Sequence, residues 1–160
     1  MPSTATATLP EPVQIAEILG LPRPGSFDDI KLADSIHRGV PARSAEHVVR
    51  AMDPNGARLK ASDLVPKSTL HRCLEDDKLL STDASETLWQ VVRVYVEARR
   101  QYGDAEAALA FLFRAHPLLD GRRPFDLARE TTAGSDLVLK ILGQAEAGVC
   151  RATIRVRFQR

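Results

Sequence analysis

The sequence predicts an all-α protein: a small helical bundle with a helix-turn-helix, followed by a second helical module and an extended C-terminal tail. Two observations support this fold class. Apolar residues recur at the i, i+3, i+4 spacing of amphipathic helices in one segment after another, and glycine and proline separate these segments. After Gly148 the pattern changes to the alternation of an extended chain.

Length and composition limit the possible architectures. A chain of 160 residues forms one ordinary domain or two small ones that share a core. We divide it into a flexible N-terminal segment (1–26), a helix-turn-helix domain (27–100) and a second domain with its tail (101–160). The net charge of +1 gives no whole-chain argument for binding nucleic acid.

The sequence indicates a cytoplasmic protein. It has neither a run of about 18 apolar residues nor the basic and apolar regions of a secretory signal, so we expect no membrane association. Cys73 and Cys150 lie far apart and outside any CxxC motif. Two such cysteines are typical of free thiols in a reducing compartment.

Three short helices are predicted in the N-terminal part. The first begins near Val13 and ends at Gly20, the second runs from Phe27 to His37, and the third follows Ser44, which is a candidate N-cap. The turn Pro54-Asn55-Gly56 ends the third helix.

The segment 62–74 has the pattern of a helix-turn-helix. A short helix, a turn at Val65-Pro66 and a second helix from Lys67 to Leu74 follow one another. In such motifs the first turn of the second helix meets the base edges. The candidate DNA-binding residues are the polar ones on this helix, namely Lys67, Ser68, Thr69, His71 and Arg72.

The same pattern also fits a solvated helix in a packed bundle. Glu75, Asp76 and Asp77 follow the second helix directly, and carboxylates near phosphates are repelled. The residues alone therefore leave DNA binding open.

A helix of about twenty residues follows and would join the two halves. Asp83 and Glu86 have the spacing of a capping box at its start. Its apolar stripe contains Leu88, Val91, Val92, Tyr95 and Val96.

The second module begins at Tyr102-Gly103-Asp104, where Gly103 ends one helix and Asp104 can cap the next. An elbow at 116–124 holds two prolines on either side of a glycine, and Pro124 suits a first helical position. The strongest apolar period then follows Gly134, with Leu137, Val138, Ile141, Leu142 and Ala145, and is predicted to end at Gly148.

These residues resemble the toxin-binding domain of Xre/MbcA/ParS-type antitoxins, which are partners of RES-domain toxins that consume NAD. The resemblance covers about residues 85–150 and extends more loosely back to about residue 30. Phe111 stands where the family usually has Trp, and Asp120 where a second Gly is common. The features that carry it are Tyr102-Gly103-Asp104, Phe111-Leu112, His116-Pro117, Leu119-Asp120-Gly121, Pro124-Phe125-Asp126-Leu127, Gly134, the Val/Leu helix and Gly148-Val149.

The resemblance implies an Xre-like helix-turn-helix at 62–74 and a toxin partner for the C-terminal tail. From Ala152 to Phe158 apolar residues alternate with polar ones, which predicts a strand that needs an edge or a groove. The residues alone favour pairing within the molecule or a frayed end over a partner. Because these antitoxins lay C-terminal residues across the toxin's NAD-binding cleft, the implied toxin-binding residues are Arg151, Arg155, Arg157, Phe158 and Arg160.

No pattern for catalysis is present, and we expect neither an enzyme nor a cofactor. The sequence has no P-loop and no GxGxxG, and Asp76-Asp77 is a carboxylate pair only in sequence. The histidines fall at no spacing that would put two metal ligands on one helix face; they are His37, His47, His71 and His116.

Two functions from different classes remain. The first is an antitoxin that neutralises a RES-domain toxin and represses its own operon, and the second is a helix-turn-helix regulator whose C-terminal module only dimerises it. We expect a homodimer in both cases, since two-fold pairing doubles the contacts of a helix-turn-helix. The two differ in whether a toxin co-purifies.

Overall fold

The computed structural model describes the backbone of residues 9–156 and the side chains of residues 9–144. The regular elements of this part are helices, which confirms the all-α prediction. Short 3₁₀ turns occur at Pro24–Ser26 and Pro117–Leu119. The α-helices are α1 Glu11–Ile18, α2 Asp29–Arg38, α3 Ser44–Met52, α4 Ala61–Leu64, α5 Lys67–Glu75, α6 Thr82–Tyr102, α7 Ala105–Phe113, α8 Pro124–Glu130 and α9 Thr132–Val156.

Helix α6 is the centre of the bundle, as its apolar stripe predicts. Helices α1 to α4 on one side of the sequence and α7 to α9 on the other all pack against it. Ser81, rather than Asp83, caps α6, and its side chain accepts a hydrogen bond from the Ala84 N–H at 3.2 Å. Gly103 ends the helix with a φ of 69°, as predicted. One continuous core therefore spans both modules.

Residues 11–18 form a packed helix inside the segment predicted to be flexible. Ile15 and Leu19 are buried, and α1 contacts both α3 and α6. Gly20 follows with a φ of 66°, in agreement with the predicted end of this helix.

The connection between α2 and α3 is tied to the start of α6. The Val40 N–H donates to the Ser85 hydroxyl oxygen at 2.9 Å, and the Leu80 N–H donates to the Val40 carbonyl at 2.8 Å. At Ser44 the structure differs from the prediction, because Arg43 is the N-cap residue and Ser44 is the buried first residue of α3.

Helix α9 begins earlier than the sequence predicts. Its first residue is Thr132, and the Thr131 hydroxyl accepts a hydrogen bond from the Gly134 N–H at 2.9 Å. A Cβ at Gly134 would collide with the carbonyl oxygen of Leu127 on α8. Gly134 therefore lies inside the first turn and permits close packing of α8 and α9, instead of separating two segments.

Helix α9 also ends later than predicted. The sequence predicted that the helix stops at Gly148 and that an extended strand follows. This prediction was wrong for residues up to Val156, because the backbone is helical to that residue. A single glycine within a helix costs only about 1 kcal/mol. A terminal helix satisfies its own backbone groups, whereas a lone strand leaves them unpaired. Residues 157–160 lie outside the described part of the chain.

Among residues 9–156, no helix combines the length and the apolar character required to cross a membrane.

Candidate functional site

Helices α4 and α5 form the predicted helix-turn-helix. Val65 and Pro66 separate them, and Val65 is fully buried, which fixes the turn against the core. The Asp63 carboxylate accepts a hydrogen bond from the Lys60 N–H at 2.9 Å at the start of α4. On α5, Leu70 and Cys73 are the buried side chains, as the sequence predicts.

The five candidate DNA-binding residues lie together on α5. Thr69 is half-buried, while Lys67, Ser68, His71 and Arg72 are exposed. His71 Nε2 lies 3.2 Å from a carboxylate oxygen of Glu75, one turn further along. The arrangement presents a polar face with basic residues to solvent.

The acidic residues occupy the opposite end of α5 from its first turn. This helix has nine residues, and at 1.5 Å per residue it is about 13 Å long. Glu75 is its last residue, and the Asp76 carboxylate lies 3.3 Å from Lys78 Nζ. The carboxylates are thus separated from Lys67 and Ser68 in the first turn, whereas Glu75 lies against His71.

Helix α7 and the elbow after it are held by local hydrogen bonds. The Asp104 carboxylate accepts from the Ala107 N–H at 3.1 Å, which confirms Asp104 as the cap of α7. His116 Nδ1 accepts from the Leu118 N–H at 3.3 Å, which holds the ring against the 3₁₀ turn Pro117–Leu119.

The elbow needs two consecutive residues with positive φ. Asp120 has a φ of 53° and Gly121 a φ of 75°. The left-handed conformation is the one glycine adopts freely and aspartate tolerates better than most residues. This explains how Asp120 takes a position where the resembling family often has a second glycine.

Two arginines connect the halves of the molecule. Arg129 on α8 donates from Nη1 to the Asp63 carbonyl oxygen at 2.7 Å, at the end of α4. Arg58, before α4, forms an ion pair with Glu106 on α7 at 2.8 Å. Sequence reasoning missed both contacts, because residues so far apart in the chain share no local pattern.

Helix α6 is joined to the start of α9 in a similar way. Gln90 Nε2 donates to the Thr132 hydroxyl at 2.7 Å, and the Arg93 guanidinium pairs with Asp136. Arg93 also stacks over Trp89, with 4.7 Å between the guanidinium carbon and the ring centroid.

The predicted toxin-binding residues fall at or beyond the limit of the described structure. Arg151 and Arg155 belong to α9 by their backbone, and their side chains lie outside the described part. Arg157, Phe158 and Arg160 lie wholly outside it. Their role in toxin binding stays a prediction.

A shallow groove runs between the end of α6 and α7, next to the elbow. Its volume is about 280 Å³. Burial raises the pKa of the Tyr102 phenol at one end. The lining residues are Tyr102, Ala107, Ala110, Phe111, Arg114 and His116. Sequence reasoning used Tyr102, Phe111 and His116 as family features without predicting that they line one surface.

Among the residues with described side chains, no group of three or more His, Cys, Asp or Glu is placed to hold a metal ion. A larger cavity of about 370 Å³ lies between α1, α2 and α6 and includes Trp89 and Arg93 in its wall.

Comparison with known families agrees with this two-part structure. Residues 31–93 match the antitoxin Xre-like helix-turn-helix domain. Residues 97–148 match the antitoxin Xre/MbcA/ParS C-terminal toxin-binding domain. The two matches meet within α6, the helix shared by both modules. No curated protein sequence matches the chain.

A helix-turn-helix joined through one long helix to a toxin-binding module defines an antitoxin of a toxin–antitoxin system. The order and extent of the two matched domains place the chain in a particular group. It belongs to the Xre/MbcA/ParS-type antitoxins.

Proposed function

We propose that this antitoxin binds and neutralises a cognate RES-domain toxin, an enzyme that consumes NAD, by covering the toxin's active-site cleft. The observation that carries the proposal is the match of residues 97–148 to the toxin-binding domain. That range comprises α7, α8, most of the described part of α9 and the end of α6, which together form a packed unit. The RES identity of the partner rests on the family resemblance.

The C-terminal tail is the part we assign to neutralisation. From Val149 to the end it contains four arginines and no acidic residue. A cleft that binds a pyrophosphate must present cations or backbone donors, so a cationic tail does not imitate the phosphates. Instead, Arg155, Arg157 and Arg160 would pair with carboxylates at the mouth of the cleft.

Two further groups complete the proposed tail contact. Phe158 supplies an apolar anchor of the kind that carries binding energy in small interfaces. The terminal carboxylate of Arg160 offers a second way to occupy an anion subsite. Arg151 belongs to the same basic segment. Because α9 is helical up to Val156, the tail would extend from α9 and bind through its side chains, not by adding a strand.

Truncation tests the assignment. A chain that ends at Cys150 should keep its helical circular dichroism spectrum and lose the ability to preserve NAD when it is mixed with the toxin. The matched control replaces exposed Lys140 on α9 by Ala and leaves the tail whole. If the truncated chain still preserved NAD, the tail would have no part in neutralisation.

We also propose that the protein binds operator DNA as a homodimer and represses its own operon through α5. Lys67→Ala or Arg72→Ala should each weaken binding to the DNA upstream of its reading frame. The slope of log K against log salt should fall by about 1 for each phosphate that the variant no longer neutralises. Lys140→Ala is again the charge-matched control, and an unchanged salt slope in both α5 variants would contradict the proposal.

The alternative is a homodimeric regulator without a toxin partner. Co-expression with the product of the adjacent reading frame separates the two. The antitoxin proposal expects a stable complex with a RES-domain protein, whereas the alternative expects only the homodimer and its DNA. Both the antitoxin proposal and the alternative expect a cytoplasmic location and no cofactor.

A further inference from the structure

Three aromatic rings stand in a row on the surface of the toxin-binding module. The Tyr102 and Phe111 ring centroids are 5.6 Å apart, and those of Phe111 and His116 are 5.8 Å apart in an edge-to-face arrangement. The Tyr102 side chain is 46% exposed. Such a row on a monomer's surface indicates a binding site more often than an isolated exposed residue does.

The groove beside these rings is open because its wall on α7 is made of small side chains. Ala107 and Ala110 line it, and both are half-buried. Its volume of about 280 Å³ lies at the lower limit for small-molecule pockets, which is about 300 Å³. The space is suited to one or two side chains of another protein.

One cationic side chain, Arg114, lines the groove. Arg114 is exposed there, and within the described side chains it forms no ion pair. The nearby acids have other partners, since Asp104 caps α7 and Glu106 pairs with Arg58. A carboxylate on the partner would therefore find an available guanidinium beside an apolar slot.

We propose that this groove binds an apolar side chain of the toxin that has a carboxylate next to it. We call it the aromatic groove and define it by Tyr102, Ala110, Phe111, Arg114 and His116. The inference rests on the proposed function and assigns the groove a separate task. The groove holds the toxin, and the C-terminal tail inhibits it. All five residues fall within the matched toxin-binding domain.

Charge makes the other occupants less suitable. In a two-fold contact between copies of this chain, both Arg114 side chains would enter one interface without a carboxylate in the groove to receive them. A single arginine is also too small a positive patch for a nucleic-acid backbone.

Calorimetric titration of the full-length antitoxin with a catalytically inactive cognate toxin tests the groove. Ala110→Glu, which fills the slot and places a negative charge beside Arg114, and Tyr102→Ala should each raise the Kd about thirtyfold. Arg114→Glu should raise it about tenfold. Leu79→Ala is the matched control, because it removes a side chain that is 54% exposed from outside the groove.

The outcomes separate the two proposals. A chain that ends at Cys150 lacks the Phe158 anchor, so its Kd should rise by about thirtyfold, but it should still bind the toxin through the groove while losing inhibition. If the full-length protein binds no RES-domain toxin, the proposed function fails. If the full-length protein binds the toxin and the groove variants bind it equally well, the groove inference alone is overturned. The same holds if the groove variants only dissociate a homodimer of the antitoxin. Thermal melting of Tyr102→Ala and Arg114→Glu, both at exposed positions, confirms that the affinity change does not come from unfolding.

Discussion

Helix α5 and the α8–α9 pair differ in how tightly they pack against the rest of the molecule. Helix α5 has nine residues and buries only Leu70 and Cys73, so one whole face is open to solvent. Helices α8 and α9 approach so closely that only glycine fits at position 134. Local opening is easiest where little apolar surface has to be exposed. We therefore expect α5 to be the weaker element and the α8–α9 pair to be the stronger one.

The difference fits the tasks that we propose for the two surfaces. A helix that lies in a DNA groove needs an exposed polar face and takes much of its affinity from charge. A module that holds another protein needs a rigid platform, because ordering it at the time of binding would lower the affinity. The two surfaces share one core through α6, so a change in either affects the same folded unit.

The largest effect is expected at the contact between α8 and α9. Gly134→Ala places a Cβ against the Leu127 carbonyl oxygen and should lower the free energy of unfolding by about 3 kcal/mol. Urea denaturation measures the change. The control is Gly143→Ala, where the Cβ meets nothing within 4 Å. That variant should gain up to about 1 kcal/mol from helix propensity. Equal effects at both glycines would show that the pair is not closely interlocked.

The second prediction concerns the anchoring of α5. Leu70→Ala removes one of its two buried side chains and should cost about 2 kcal/mol. Leu74→Ala, on the same helix and 42% exposed, should cost less than about 0.5 kcal/mol. Hydrogen exchange then checks the comparison itself: the α5 amides should exchange before those of α6 and α8. Simultaneous exchange of all three helices would contradict the ranking.

The third prediction concerns the arginines that join the two regions. Arg129→Met removes the hydrogen bond to the Asp63 carbonyl, which is part-buried, and should cost about 1.5 kcal/mol. Arg58→Ala removes an ion pair with a largely exposed Glu106 and should cost less than about 0.5 kcal/mol. Denaturation at low and high salt distinguishes them, since the Arg58 effect should disappear at high salt. A larger loss in Arg58→Ala would show that charge, not the backbone hydrogen bond, joins the modules.

The smallest effect is expected in the elbow. Asp120 has a φ of 53°, so Asp120→Gly should raise the free energy of unfolding by about 0.5 kcal/mol. Gly121→Ala, at a φ of 75°, should lower it by about 1 kcal/mol. Thermal melting of the two variants measures both changes in stability. A loss of stability in Asp120→Gly would indicate that the carboxylate has a structural role beyond its backbone conformation.

Local patterns in the sequence predicted the all-α class, the helix-turn-helix with Val65-Pro66 as its turn, the caps at Gly103 and Asp104, and the family. Each depends on residues within a few positions of one another, where apolar spacing and turn chemistry are direct evidence. The same reasoning failed at Gly134 and Gly148. Gly103 ends α6, whereas Gly134 lies inside α9 and permits close packing on α8, and a glycine by itself does not indicate which of the two roles it has.

The sequence by itself determined where most helices form, because helix formation depends on the local spacing of apolar residues. It also determined the family, because the family's features are short motifs in a fixed order. Only the tertiary structure decided that Arg129 reaches Asp63, that Tyr102, Phe111 and His116 align in one groove, and that α9 continues to Val156. These features depend on which distant surfaces meet and on whether a strand finds a partner. No local pattern contains that information.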